Sequence, residues 1–276
     1  MSGFSIDWLN LREASDHRAR DRYLLKTAAN WLNNLKSKDK VIVDLGSGTG
    51  STIRGLQKYT TLAPSIQWRL VDNDPELLAE AIHRHSGENS IESFLVDLSA
   101  TQKLPLESVS LMTASALLDL VSENFIRDLC QLIKEKNEYR PVGFYSALNY
   151  DGCIKWIPSH PLDAAILMNF NADQKRDKGF GPALGPDATD FLKTQFHSTK
   201  FQCLSAKSPW LLGSADYLLI ESLINGISGV AIKTDGLTNS DILDWKTYRM
   251  NNVRAGTCFL GHTDFLVLPN SLARYR

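Results

Sequence analysis

One short stretch restricts this chain more than any other. Val41 to Leu45 is an apolar, β-branched run that stops at glycines, in Asp44-Leu45-Gly46-Ser47-Gly48-Thr49-Gly50, and Ser51 to Tyr59 after it reads as a helix. A strand that ends in alternating glycines and passes directly into a helix is a ligand-binding turn. Glycine supplies the backbone angles and lets main chain approach a ligand closely. The helix that follows offers unpaired N–H groups and the positive end of its dipole. The spacing Gly46-x-Gly48-x-Gly50 differs from the Gly-x-Gly-x-x-Gly of dinucleotide turns. Asp44 on the strand end would repel a pyrophosphate but would accept from an ammonium group.

The alternation of strand and helix continues. Gln67 to Asp72, Ser93 to Asp97, Val109 to Thr113 and Val142 to Leu148 read as strands. Pro75 opens a helix that runs to about His85, and Asn124 to Lys136 forms another. Apolar strands separated by helices predict an α/β fold, a doubly wound and mainly parallel sheet. Ahead of it the sequence predicts a helix capped by Ser15 or Asp16, with Tyr23, Thr27, Trp31 and Leu35 on its apolar face. From Asn149 to about Pro186 the rhythm breaks into a glycine- and proline-rich stretch holding a helix over Leu162 to Asn171. Then come a helix (Thr189 to Phe196), a strand (Lys200 to Ser205), two helices (Ala215 to Lys233, Ser240 to Val253) and a last strand (Cys258 to Leu268).

Acids recur where such a sheet would need them. Asp72 ends the second strand, where a carboxylate accepts from both hydroxyls of a ribose, and Asp97 ends the third, where an adenine edge would lie. A strand-end carboxylate also caps a following helix, so the order of the three acids carries more than any one of them.

At this point the sequence resembles the class I S-adenosylmethionine-dependent methyltransferases. Val43-Asp44-Leu45-Gly46-Ser47-Gly48-Thr49-Gly50 looks like their first motif and Val71-Asp72-Asn73-Asp74-Pro75-Glu76-Leu77-Leu78 their second. Leu95-Val96-Asp97-Leu98 is similar to the adenine-contacting segment, and Leu111 to Leu120 to the segment beside the departing methyl group. The resemblance implies a seven-stranded Rossmann-like sheet whose last strand is antiparallel, and S-adenosylmethionine as cofactor. It implies that Gly46, Ser47, Gly48 and Gly50 cradle the methionine portion and that Asp44 faces its ammonium. Asp72 would bind the ribose, Asn73 and Leu98 would flank the adenine, Asp97 would accept from its amino group, and Ala114 and Ser115 would lie near the sulfonium. One of Arg12, Arg18 and Arg20 would reach the methionine carboxylate. The chain lacks an Asn/Asp-Pro-Pro-Tyr/Phe motif after the fourth strand and a Pro-Cys pair, which disfavours amino-methylating nucleic-acid enzymes and cytosine-C5 chemistry.

The expected organisation is one domain over 1–276: a helical segment (1–39), a cofactor-binding half (40–148), a cap inserted after strand five (149–186) and a C-terminal half (187–276). Methyl transfer from a sulfonium requires positioning and exclusion of water more than side-chain chemistry. The cap is the place to seek acceptor contacts, and Asp163, Asn171, Lys178 and Phe180 are the candidates. His160 is the first candidate base, with Asp119 beside the fourth strand; His262 on the last strand reads as a core residue.

Composition narrows the acceptor. The 276 residues carry a net charge of −1 with no basic stripe, unlike a chain that grips many phosphates. A polar small molecule, methylated on oxygen or nitrogen, is the expected acceptor, and no nucleic-acid partner is expected. An RNA or protein methyltransferase and a non-catalytic S-adenosylmethionine-binding module remain alternatives, and the glycine spacing disfavours a nicotinamide oxidoreductase. The four cysteines form no Cys-x-x-Cys pair, so no metal site is expected. The sequence shows no signal peptide and no apolar run of about 18 residues, which predicts a cytoplasmic protein without a membrane partner. Oligomeric state stays open.

Overall fold

The computed structural model describes residues 4–87, 90–196, 200–232 and 236–270. Its centre is a sheet in the order β3-β2-β1-β4-β5-β8-β6. The strands are β1 (Lys40–Leu45), β2 (Ile66–Asp72), β3 (Ile91–Leu95), β4 (Val109–Ser115), β5 (Gly143–Ile157), β6 (Phe201–Lys207), β7 (Trp210–Leu212) and β8 (Thr257–Pro269). β1 to β5 pair in parallel, and β8 runs antiparallel between β5 and β6. The expected sheet is present with one addition, the short β7, which pairs with the first part of β8. Three residues after Ser208-Pro209 are too few to show a period.

Two cores follow from the two faces of the parallel strands. Val43, Leu45, Met112 and Phe144 point to the side covered by α5 (Glu123–Tyr139) and α7 (Ala188–Gln195). Ile42, Leu70, Leu111 and Tyr145 point to the side covered by α2 (Arg22–Asn33), α3 (Ser51–Tyr59) and α4 (Pro75–Arg84). The N-terminal segment differs from expectation. It forms two helices, α1 (Ile6–Ala19) capped by Ser5 and α2 capped by Asp21, so Ser15 and Asp16 lie inside α1. The buried face of α2 is Leu24, Leu25, Ala28, Ala29 and Leu32, while Tyr23 is exposed. Leucine and alanine at helical spacing outweigh the aromatic ring because they fit flat against the sheet.

The larger departure is β5, which does not stop at Leu148. It runs to Ile157 along β8, with irregularities between Ser146 and Asn149 and between Tyr150 and Ile154. Asn149 bridges the first: its Oδ1 accepts from Ser146 Oγ (2.8 Å) and its amide donates to Thr263 O (2.9 Å). Asp151-Gly152 reads as a turn but is a bulge that keeps Tyr150, Ile154 and Trp156 on one face. Those side chains build a third core with α6 (Asp163–Gln174), α8 (Tyr217–Ala231) and α9 (Asn239–Asn251). The predicted end of α8 at Lys233 lies outside the described residues. Among the described residues no helix is long and apolar enough to cross a membrane.

Candidate active site

The floor of the site is the turn after β1. Gly48 and Gly50 have φ of 52° and 80°. The left-handed angle strains any side chain at both; a Cβ would lie 2.7 Å from His85 Cε1 at Gly50, forcing that ring to shift, and 3.1 Å from the end of Leu9 at Gly48. The Ser47 amide donates to Val71 O (3.1 Å) and the Gly48 amide to Asp72 Oδ2 (2.8 Å), tying the turn to β2. Asp72 Oδ1 accepts from the Asp74 amide at 3.1 Å. Burial raises the Asp72 pKa above the ordinary carboxyl value, and these amides offset part of that rise.

Beneath the turn, Asp44 is buried. Its Oδ1 accepts from Thr113 Oγ1 at 2.6 Å, the Thr52 hydroxyl lies close enough to favour its charge, and its Oδ2 accepts no hydrogen bond of good geometry among the described residues. Burial pushes the carboxyl up to about 6, against the lowering effect of the Thr113 hydroxyl and the Arg20 guanidinium. Ser47 Oγ is likewise buried without a partner among them. Buried polar atoms without partners are rare, and each calls for a ligand or an explanation.

A cavity of about 950 Å³ opens above the turn. Gly46 to Thr49, Ser51 and Thr52 form its floor, Asp72, Asn73, Asp74, Leu77 and Leu98 one side, and Ser115, Ala116, Leu117 and Leu120 the end of β4. Phe4, Leu9, Arg12 and Asp16 roof it, and Asp173, Gln174, the 177–180 segment and Val230 close the far end. The volume sits at the upper end of ligand sites, roughly 300–1,000 Å³, so a nucleotide-sized molecule and a second one fit together. α1 is fastened over the floor: Glu13 accepts from Arg54 Nε and Nη2, both at 2.6 Å.

Of the residues singled out in sequence, Gly46, Ser47, Gly48, Asp72, Asn73, Leu98 and Ser115 line this one cavity, with Asp44 directly below and Gly50 capping α3. Lys178 and Phe180 reach it from the cap; Lys178 Nζ donates to Asp173 Oδ2 (2.7 Å) and the Phe180 ring packs edge-on to Phe125 (5.2 Å). Others stand off the wall. Ala114 is buried within β4 between Leu45 and Ser146. Asp97 lies beyond the end of β3, exposed, accepting from the Ser99 amide at 2.9 Å: it caps a turn.

His160, Asp163 and Asn171 belong to the third core. Asp163 Oδ1 accepts from Trp245 Nε1 (2.8 Å) and from Arg249, and its Oδ2 accepts from the His160 amide (2.8 Å). His160 packs on Tyr248 and lies 3.3 Å from Asp244. Asn171 accepts from the Tyr150 hydroxyl (2.8 Å) and donates to Gly152 O (2.9 Å), holding the β5 bulge. These three residues tie β5, α6 and α9 together and do not line the cavity.

Asp119 is placed differently. It sits on a single 3-10 turn, Leu118–Leu120, between the cavity-lining Leu117 and Leu120, with Oδ1 buried and unpartnered among the described residues. Burial pushes it up to about 6, opposed by nearby backbone amides and by Arg12. Arg12 binds Asp16 through Nε (2.8 Å) and Nη2 (3.1 Å) and lies over the Trp210 ring. His262 meets the other side of Trp210's environment, its ring 5.1 Å from that indole and its Nδ1 unpartnered among the described residues; burial and Arg12 drive its pKa down to about 3. Of the roofing residues, Arg12 is among the three arginines singled out in sequence, whereas Leu9 and Asp16 carry no site expectation because the helix is expected to begin only at Ser15 or Asp16. The signal was present in Arg12 and Asp16, oppositely charged and four apart. Arg18 instead meets Asp216 at the surface, and Arg20 donates to Ser115 Oγ at 2.8 Å.

No family model matches the sequence, and no curated protein matches it. Solved structures do. The cyclopropane synthase MmaA2 from Mycobacterium tuberculosis superposes with a TM-score of 0.50 at 12% identity, over 96% of this chain and 94% of that one. The YcgJ protein from Bacillus subtilis gives 0.49 at 13% identity, over 90% and 98%. The strand order and the first of these likenesses define the fold as the Rossmann-like fold of class I methyltransferases.

Proposed function

We propose that this chain is an S-adenosylmethionine-dependent methyltransferase that acts on an oxygen or nitrogen of a polar small molecule. The observation that carries the reading is the pair of buried, unpartnered atoms, Asp44 Oδ2 and Ser47 Oγ, under a glycine turn that opens into a cavity long enough for two molecules. Asp44 is the carboxylate for the methionine ammonium, Gly46 and Gly48 give main chain to the methionine portion, Asp72 accepts from the ribose, and Asn73, Leu77 and Leu98 flank the base. The cofactor, when bound, supplies an activated methyl group on a sulfonium. The chain's own contribution is to hold both molecules in line and to exclude water. Asp173, Gln174, Asp177 and Lys178 give the far end of the cavity a polar lining suited to a polar acceptor. We take Asp119, buried beside the cavity-lining Leu117 and Leu120, as the candidate group for taking up a proton in the reaction, in preference to His160, which packs on Tyr248 beside Asp244 and does not line the cavity.

Calorimetric titration with S-adenosylhomocysteine, on wild type and on Asp72→Ala, tests the reading. Hydrogen bonds to a charged group contribute about 1.5–3 kcal/mol, so the variant is expected to bind roughly 10- to 100-fold more weakly. A folded wild type that ignores S-adenosylhomocysteine would sink the proposal.

A further inference from the structure

Asp119 is 8% exposed, and its Oδ1 has no hydrogen-bond partner among the described residues. It lies on the 3-10 turn between Leu117 and Leu120, both of which line the cavity together with Ser115 at the end of β4, while Asp119 itself does not. A carboxylate of this kind senses any charge that enters the cavity, because the apolar wall between them excludes water and screens little. Resting on the reading above, we propose that the ionisation of Asp119 is coupled to the charge of the methyl donor. Asp119 releases its proton when a sulfonium occupies the cavity and retains it when the neutral thioether is there.

Burial already brings this carboxyl to about 6, so both forms are populated in mildly acidic solution. A positive charge nearby favours the ionised form and lowers the pKa. Asp119 is thereby a proton acceptor when the donor is bound. Transfer removes the positive charge from sulfur and releases a proton from the acceptor to solvent, and Asp119 takes a proton up from solvent as its carboxyl regains its raised pKa, so the charge of this pair is balanced before and after.

The surrounding charged groups fit this assignment. From α1 come Arg12, which favours ionised Asp119, and Asp16, which is bidentate to Arg12. From β5 comes the Tyr150 hydroxyl, whose pKa is raised, chiefly by burial, so that it stays neutral. From β8 comes His262, also neutral at this pH. Asp187 and Asp190, on the segment packed against the 3-10 turn, are exposed and paired with Lys175 and Lys193. Asp44 also titrates near pH 6, but it answers to the ammonium that S-adenosylmethionine and S-adenosylhomocysteine share. The difference between the two ligands isolates the sulfonium.

Calorimetry at pH 6 in two buffers of different ionisation enthalpy counts protons released on binding each ligand. Wild type is expected to release up to about half a proton more with S-adenosylmethionine than with S-adenosylhomocysteine, a difference that vanishes at pH 8 and in Asp119→Asn. Arg12→Gln, which leaves Asp119 more often protonated, is expected to carry the difference up to pH 7. Equal proton counts for the two ligands in wild type, or a difference that survives in Asp119→Asn, would overturn the coupling while leaving the cofactor assignment intact. Failure of both ligands to bind would instead remove the function on which the coupling rests.

Discussion

At the β1–β2 end of the cavity the contact surface is largely main chain, whereas at the cap end it is side chain. The first end is a turn with positive φ angles, tied by amide hydrogen bonds to Val71 and Asp72. The second is lined from α1, the 173–180 segment and α8, with ion pairs inside the first two, Arg12–Asp16 and Lys178–Asp173, and with Phe180 packed on Phe125 of α5. A main-chain surface can be read from its glycines, because few other residues permit it. A side-chain surface depends on which elements meet, which no local pattern states. The difference also divides the polar residues: at the turn they face the cavity, and beyond β5 most of them face one another.

The sharpest break of this comparison is Asp163→Ala. Asp163 was a substrate-binding candidate, yet it holds Trp245, Arg249 and the His160 amide. Arg249 is 3% exposed, and stranding its charge is expected to cost about 3–5 kcal/mol of stability. Denaturant melts should show that loss with S-adenosylhomocysteine affinity unchanged in the folded fraction. Weaker binding at intact stability would return Asp163 to the site.

Gly50→Ala probes the main-chain end. The new Cβ would meet His85 Cε1 at 2.7 Å in a left-handed backbone conformation, at an expected cost of about 2 kcal/mol. Because this turn floors the proposed cofactor site, calorimetry should record roughly tenfold weaker S-adenosylhomocysteine binding. An unchanged affinity would separate the turn from the ligand. Phe180→Ala acts on the opposite end: cofactor affinity is expected to hold, while turnover of a screened acceptor with labelled S-adenosylmethionine falls about tenfold, or about 1.4 kcal/mol. A loss of affinity instead would extend the cofactor's reach into the cap.

These contrasts explain what the sequence could disclose. The order of β1 to β4 and the placing of Asp44, Gly48, Asp72 and Leu98 followed from strand ends and glycines, both local properties. Asp97 shows the limit of that local signal, since β3 ends at Leu95 and one carboxylate oxygen accepts from the Ser99 amide, outside the residues that line the cavity. The extension of β5 was hidden by Asp151-Gly152, a turn signal that pairing with β8 converts into a bulge. His160, Asp163 and Asn171 looked like a binding face because polar residues in a glycine-rich segment do so when their partners, Trp245, Arg249 and Tyr150, lie far away in sequence. His262 was rightly placed in the core, but nothing local shows that Arg12 and Trp210 converge on it.

The gentlest test concerns the cost of keeping Asp44 buried beneath the proposed cofactor site. Its carboxyl rises from the ordinary 3.8 to about 6 on folding because burial disfavours the charge. A pKa raised in the folded state gives stability that is present below about pH 4 and is lost as pH rises through about 6. The full displacement corresponds to at most about 3 kcal/mol, and relaxation around the site reduces it. Asp44→Asn keeps the shape without the charge. Without ligand, the variant is expected to be about 1 kcal/mol more stable than wild type at pH 7.5, with the gap closing toward pH 5 as the wild-type carboxyl takes up its proton. His262 works in the opposite sense, since its lowered pKa costs stability as pH falls below about 6.5, but it does so equally in both proteins and drops out of the difference. The same variant should bind S-adenosylhomocysteine more weakly, because the ammonium loses its carboxylate. Added stability with undiminished binding would mean that the buried charge serves neither the fold nor the cofactor. Lower stability at pH 7.5 would mean that the hydrogen bond from Thr113 outweighs the cost of burial, and that this end of the cavity is held by its side chains after all.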